Sequence, residues 1–126
     1  MVEIRLSARC FPTEDRGKIV EAIIRLFPDA EIDGDDSIVA RSASVDAFRD
    51  ILRRYRIRDA ARAVIRRGQK GNSTSFLLNK QVAAIGKVSF SEENNPLGDI
   101  EVTIVSDNID ELIDSIAPST RMEKHI

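Results

Sequence analysis

The sequence predicts a single α+β domain, a curved mixed or antiparallel sheet with helices packed on one face, in the order β-α-β-β-α-α-β-β-β-α. Three observations predict it. Val2, Ile4 and Leu6 alternate with Glu3, Arg5 and Ser7, the period-two signature of a strand with one buried face. Apolar residues recur at helical spacing in three later stretches, around 19–27, 48–55 and 109–116. The chain has 126 residues, 42% of them apolar, which is one domain's length with enough Ile, Val, Leu and Ala to fill a core.

The first strand runs from Val2 to Cys10. Thr13 is placed to cap a helix whose first turn holds Glu14 and Asp15, favourable at the positive end of the helix dipole, with Ile19, Val20, Ile23, Ile24 and Phe27 as its apolar face and Pro28 as its stop. Residues 30–33 and 37–42 flank the turn-forming Gly34, Asp35 and Asp36 and read as a hairpin. Ser44 caps a second helix with the stripe Phe48, Ile51, Leu52 and Tyr55. A kink near Ile57 leads to a further helical piece ending at Gly68.

Residues 68–74, polar and glycine-bearing, read as a loop. Strands are expected at 76–79, 85–90 and 99–105, the last two separated by Asn94, Asn95, Pro96 and Gly98. Asp107 is placed to cap a last helix built on Ile109, Leu112, Ile113 and Ile116 and ended by Pro118. The single domain is expected to span 1–118, with a flexible tail over 119–126.

Composition excludes several functions. Cys10 is the only cysteine and His125 the only histidine, so there is no internal disulfide and no Cys/His zinc set. The N-terminus holds neither a signal-peptide core nor an apolar run of membrane-spanning length, and a reducing, cytoplasmic setting is expected. Asp29, Glu31, Asp33, Gly34 and Asp35 approach a calcium loop, but Ala40 stands where the bidentate glutamate belongs. Gly68, Gln69, Lys70 and Gly71 precede a strand rather than opening a helix, unlike a phosphate-binding loop. Glu92 and Glu93 are adjacent and carry none of the geometry that acid/base catalysis demands, and Cys10 reads as a structural thiol. No catalytic residue, metal site, cofactor or small-molecule substrate is identified, and the chain is expected not to be an enzyme.

Charge is the informative feature. The net value is −2, yet residues 49–70 carry 9 basic groups against 2 acidic ones, while 1–48 carry 6 against 10 and 71–126 carry 4 against 9. Arg49, Arg53 and Arg56 fall at i, i+4 and i+7, and Arg58, Arg62 and Arg66 at successive i+4 steps, so each set is expected to line one helix face. Arg67 and Lys70 extend the charge into the expected loop. Guanidiniums so arrayed suit successive phosphates of a polynucleotide. Five Phe, one Tyr and no Trp leave few rings for stacking on bases, which favours backbone and shape reading. The strand at 85–90 has an aromatic only at Phe90, short of the pattern of an RRM.

Several stretches carry a family likeness: Phe11-Pro12-Thr13-Glu14-Asp15, Leu26-Phe27-Pro28-Asp29-Ala30, Asn79-Lys80-Gln81, Gly86-Lys87-Val88 and Asn95-Pro96-Leu97-Gly98-Asp99-Ile100. In order and spacing the chain resembles an uncharacterised archaeal protein family described as predicted RNA-binding. The resemblance implies a fold like that of the 5S-RNA-binding ribosomal protein of the large subunit. It implies no catalytic residue, and the arginine-rich segment is a property of this sequence and not of the likeness.

RNA is therefore the expected partner. The expected contacts are Arg49, Arg53, Arg56, Arg58, Arg62, Arg66, Arg67 and Lys70, with Lys80 and Lys87 contributing from nearby strands. The alternative is a protein partner or homodimer in which the basic segment of one chain meets the acidic 29–36 or 107–114 region of another. A third reading, an anion-binding or small-molecule site, rests on arginine density alone. The bland cause of the same density is a solvated, thermophile-type surface.

Overall fold

The computed structural model describes residues 2–91 and 98–118; the Glu92–Glu93 pair, the separator at 94–96 and the expected tail at 119–126 lie outside the described residues. Alternation makes the first strand, β1 (Val2–Arg9): Ile4, Leu6 and Ala8 are buried and the residues between them face outward. Helix α1 (Arg16–Leu26) follows. Strands β2 (Glu31–Asp33) and β3 (Ser37–Ser42) form the expected hairpin around Gly34, whose φ of +90° and crowding against the Ser37 carbonyl leave no room for a side chain.

Next come α2 (Asp46–Arg54), α3 (Arg58–Arg67), β4 (Gln69–Lys70), β5 (Ser73–Asn79), α4 (Lys80–Ala84), β6 (Phe90–Ser91), β7 (Asp99–Ser106) and α5 (Ile109–Ile116). Every strand pairing is antiparallel, in the order β2-β3-β1-β7-β5-β4, with β6 also on β5. Even-numbered residues of β1, β3, β5 and β7 point into the core, where they meet Ile19, Ile23, Phe48, Leu52, Ile65 and Ile113 from the helices. Phe27, Phe48, Phe76 and Phe90 form a chain of ring contacts with successive centroids 5.5, 5.8 and 5.7 Å apart, joining α1, α2 and β5 to the short β6.

Several local expectations change. Asp15, not Thr13, caps α1 by accepting the Gly17 amide at 2.9 Å, and Glu14 is used elsewhere. Val45 and Asn108, not Ser44 and Asp107, occupy the caps of α2 and α5, although Ser44 Oγ accepts the Asp46 amide at the start of α2 and Ser106 Oγ accepts the amide of the cap residue Asn108. The expected loop at 68–74 is a tight hairpin: Gly71, at φ +58°, and Asn72 turn β4 into β5, and only the absence of apolar alternation in Gln69 and Lys70 hid it. The expected strand at 85–90 shrinks to Phe90–Ser91. Asn79 accepts the Val82 amide at 2.9 Å and starts α4 instead, and Ile85 is left 71% exposed.

Candidate nucleic-acid interface

The arginine-rich segment folds as two short helices with a tight corner between them. Phe48, Ile51 and Leu52 anchor α2 in the core, and Ala61 and Ile65 anchor α3. At the corner the Arg56 amide donates to the Arg53 carbonyl (3.2 Å) and the Ile57 amide to the Leu52 carbonyl (3.1 Å). This is the paired hydrogen-bond closure of a Schellman motif, which puts its turning residue in the left-handed region. That residue is ordinarily glycine; here it is Arg56, at φ +57°, the one non-glycine residue with positive φ among the described residues.

The two expected arginine faces fare differently. On α3, Arg62 and Arg66 of the expected row face α5, and ion pairs take them up, while Arg58 stays outside these pairs. Arg62 donates to Asp114 at 2.6 Å and to the Ala117 carbonyl at 3.0 Å, and Arg66 donates to Asp110 at 2.7 Å. The partners run backward along α5 as the arginines run forward along α3, so the two helices are antiparallel. The Arg62 bond to Ala117 also places a cation at the negative end of α5. Arg49 reaches Asp46 at 3.1 Å and Ser115 at 3.3 Å. Much of the charge complementarity expected between subunits, basic segment against 107–114, is thus met within one chain.

The row expected at 49, 53 and 56 is broken because α2 stops at Arg54, and a different cluster replaces it. Arg53, Arg54 and Arg56 are exposed and Arg58 is half-buried, and none of the four side chains has a hydrogen-bond or ion-pair partner among the described residues. Sequence reasoning passed over Arg54 because it lies off the i, i+4, i+7 row; its place in the run Arg53-Arg54-Tyr55-Arg56 was the available signal. Arg67 is exposed and engaged in an interaction of its own. Lys70 is exposed on β4, beyond the length of α3, about 15 Å of helix from Arg58. Lys87 is exposed after α4.

Lys80 requires a correction. It sits on α4, not on a strand, and is 2% exposed, with its ammonium donating to the Arg9 carbonyl and to Glu14 Oε1, each at 2.8 Å, and lying 5.3 Å from the Phe11 ring centre. Glu14 also accepts the Phe11 amide at 3.1 Å, and the backbone of Gly98 lies alongside the Lys80 ammonium and the Phe11 ring. The stretches that carried the family likeness, at Phe11–Asp15, Asn79–Gln81 and Gly98–Asp99, therefore meet in one buried tie at the end of β1. A cation held this way does not face a phosphate.

The sheet face away from the helices forms a trough of about 760 Å³, lined by Arg5, Arg41, Glu31, Asp33 and Glu101 with Ser7, Val39 and Thr103 between them. Two arginines face three carboxylates there, so the trough does not attract a polyanion as the α2–α3 corner does. Two carboxyls elsewhere are held below their ordinary pKa. The side-chain hydrogen bond from Ser42, then the Ala43 amide, lowers that of Asp29; the Gln69 amide, then Arg66, lowers that of Asp110. Within the acidic stretch at 29–36, two carboxylates make bonds that shape the chain: Asp29 ties down the segment after β3, and Asp33 accepts the Gly34 amide at 2.8 Å in the hairpin turn. Among the described residues no cluster of three or more His, Cys, Asp or Glu side chains is placed to hold a metal ion, and no helix is long and apolar enough to cross a membrane.

A family model described as RNA binding matches residues 3–106. A UPF0201 protein of Methanothermobacter thermautotrophicus is 36% identical, covering 100% of this chain and 98% of its own length. A UPF0200/UPF0201 protein of Archaeoglobus fulgidus is 40% identical over 95% of this chain, which spans only 38% of that relative. The crystal structure of a UPF0201 protein from Methanococcus jannaschii superposes with a TM-score of 0.85 at 36% identity, covering 93% of each chain. Another UPF0201 crystal structure reaches 0.86 at 38% identity, covering 93% of this chain and 94% of the other. The chain belongs to the archaeal UPF0201 family, whose matching family model is described as RNA binding.

Proposed function

We propose that the protein is a non-catalytic, cytoplasmic RNA-binding protein that grips the phosphate backbone of a structured RNA with the α2–α3 corner. The observation that carries this reading is the set Arg53, Arg54, Arg56 and Arg58: four guanidiniums in six residues, without partners among the described residues. One of them occupies a backbone position where glycine is the cheaper choice. A protein that needed only a soluble helix corner gains nothing from arginine there. Guanidinium forks suit phosphate oxygens, and a rigid turn holds them in place before the RNA arrives. The family description supports the partner, and the likeness to the 5S-RNA-binding ribosomal protein belongs to the same proposal.

The test is fluorescence-anisotropy titration of an RNA hairpin across salt. Four phosphate contacts give log K against log salt a slope of magnitude about 3. Arg53→Glu/Arg54→Glu/Arg58→Glu lowers affinity on the order of 100-fold, taking about 1 kcal/mol for each lost contact. Arg56→Gly separates binding from folding: it relieves the left-handed residue and raises stability by about 0.5–1 kcal/mol while weakening RNA binding. Salt-insensitive affinity, or a triple variant that binds like the wild type, overturns the proposal.

A further inference from the structure

The chain has six aromatic side chains, and five are accounted for. Phe27, Phe48, Phe76 and Phe90 make the core ring chain, and Phe11 lies under the cations of Arg9 and Lys80, at 5.2 and 5.3 Å. Tyr55 is the remaining one. Its helical spacing from Phe48 and Leu52 predicts burial, yet the residue is 43% exposed, because α2 ends one residue earlier and the chain swings into the corner. The ring makes no ring or cation contact and its hydroxyl no hydrogen bond among the described residues. On either side in sequence stand Arg53, Arg54, Arg56 and Arg58, and the corner's two backbone hydrogen bonds fix the chain that carries them.

We infer that Tyr55 is a stacking platform for an unpaired base, so that the corner recognises RNA with exposed single-stranded nucleotides, such as a loop or bulge, in preference to a continuous duplex. The inference rests on the RNA-binding reading of this corner and names its substrate class. A half-covered ring amid guanidiniums offers what an unstacked nucleotide needs: an aromatic surface for the base and cations for the phosphates on both sides of it. In a continuous duplex every base is already stacked, and only the phosphates remain available. Every base has a π-face, so discrimination among the four bases is weak.

The chain contains one tyrosine and no tryptophan, so its intrinsic emission reports Tyr55 alone. The experiment titrates wild type, Tyr55→Phe and Tyr55→Ala with a bulged RNA hairpin and with a fully paired RNA duplex of equal length. Anisotropy is followed on labelled RNA and tyrosine emission on unlabelled RNA, with free N-acetyltyrosinamide titrated in parallel to correct for absorption by the nucleic acid. The expected result is tighter binding of the bulged RNA and emission quenched in step with anisotropy by that RNA only. Affinity for it falls roughly 10-fold in Tyr55→Ala and is kept in Tyr55→Phe. Unchanged emission at saturation, or equal affinity for the two RNAs in wild type and Tyr55→Ala, overturns the stacking role and leaves backbone binding standing. Failure of the wild type to bind either RNA at low salt overturns both readings. The quenching arm needs no destabilising substitution.

Discussion

Two arginine groups lie next to each other in the chain and end differently. Arg62 and Arg66 on α3 are bound to Asp114 and Asp110 of α5, whereas Arg53, Arg54, Arg56 and Arg58 at the α2–α3 corner meet no acid among the described residues. Lys80 goes further in the first direction, buried against Glu14. A run of like charge is thus not one feature. The fold consumes part of it as structural ties, and what it leaves over is the candidate for binding. The remainder is smaller than the run, and more sharply placed.

The comparison predicts that the consumed cations matter for stability and the corner for RNA. Its largest expected effect is at Lys80. Lys80→Met leaves Glu14 buried without its cation, and urea denaturation is expected to show a loss of about 3–5 kcal/mol. The variant that remains folded should bind RNA as the wild type does; weaker RNA binding by folded protein would bring Lys80 back to the interface.

A smaller effect is expected along α3. Arg62→Ala/Arg66→Ala removes three partly exposed ion pairs, from both arginines to Asp114 and from Arg66 to Asp110, and the bond to the Ala117 carbonyl, a combined loss of about 1–2 kcal/mol that should diminish in high salt. RNA affinity should stay close to wild type. A loss as deep as that of the corner triple variant would erase the distinction between the two groups.

The smallest effect concerns acid. Asp29 has its folded pKa below the ordinary 3.8, so its contribution is fully present above that value and fades as pH falls through the folded pKa. The stability difference between wild type and Asp29→Asn, followed by thermal unfolding, should be flat near neutrality and shrink below about pH 4. A stability difference that grew toward acid would contradict the assigned direction.

Much of the fold was legible locally. Alternation in β1, the Gly34 hairpin and the stripe Phe48, Ile51 and Leu52 each state their structure within a few residues, because a strand or helix must show its apolar side to a core at its own period. Short elements were not legible. β4 has two residues and α4 five, too few for any period to develop, and α4 is set by the single Asn79 cap. At the interface, sequence spacing found the arginine density but not its division, and it placed Tyr55 inside and Lys80 outside, the reverse of both positions.

By itself, then, the sequence determined the α+β class, the sheet's apolar side, the concentration of positive charge in residues 49–70 and the family likeness. All of these are properties of residues close together in the chain. The tertiary structure alone decided which cations stay available. Asp114 is 52 residues from Arg62, and Glu14 is 66 from Lys80. An ion pair depends on separation in space, falling with distance and screened within about 10 Å, and at such sequence distances only the packed fold fixes that separation.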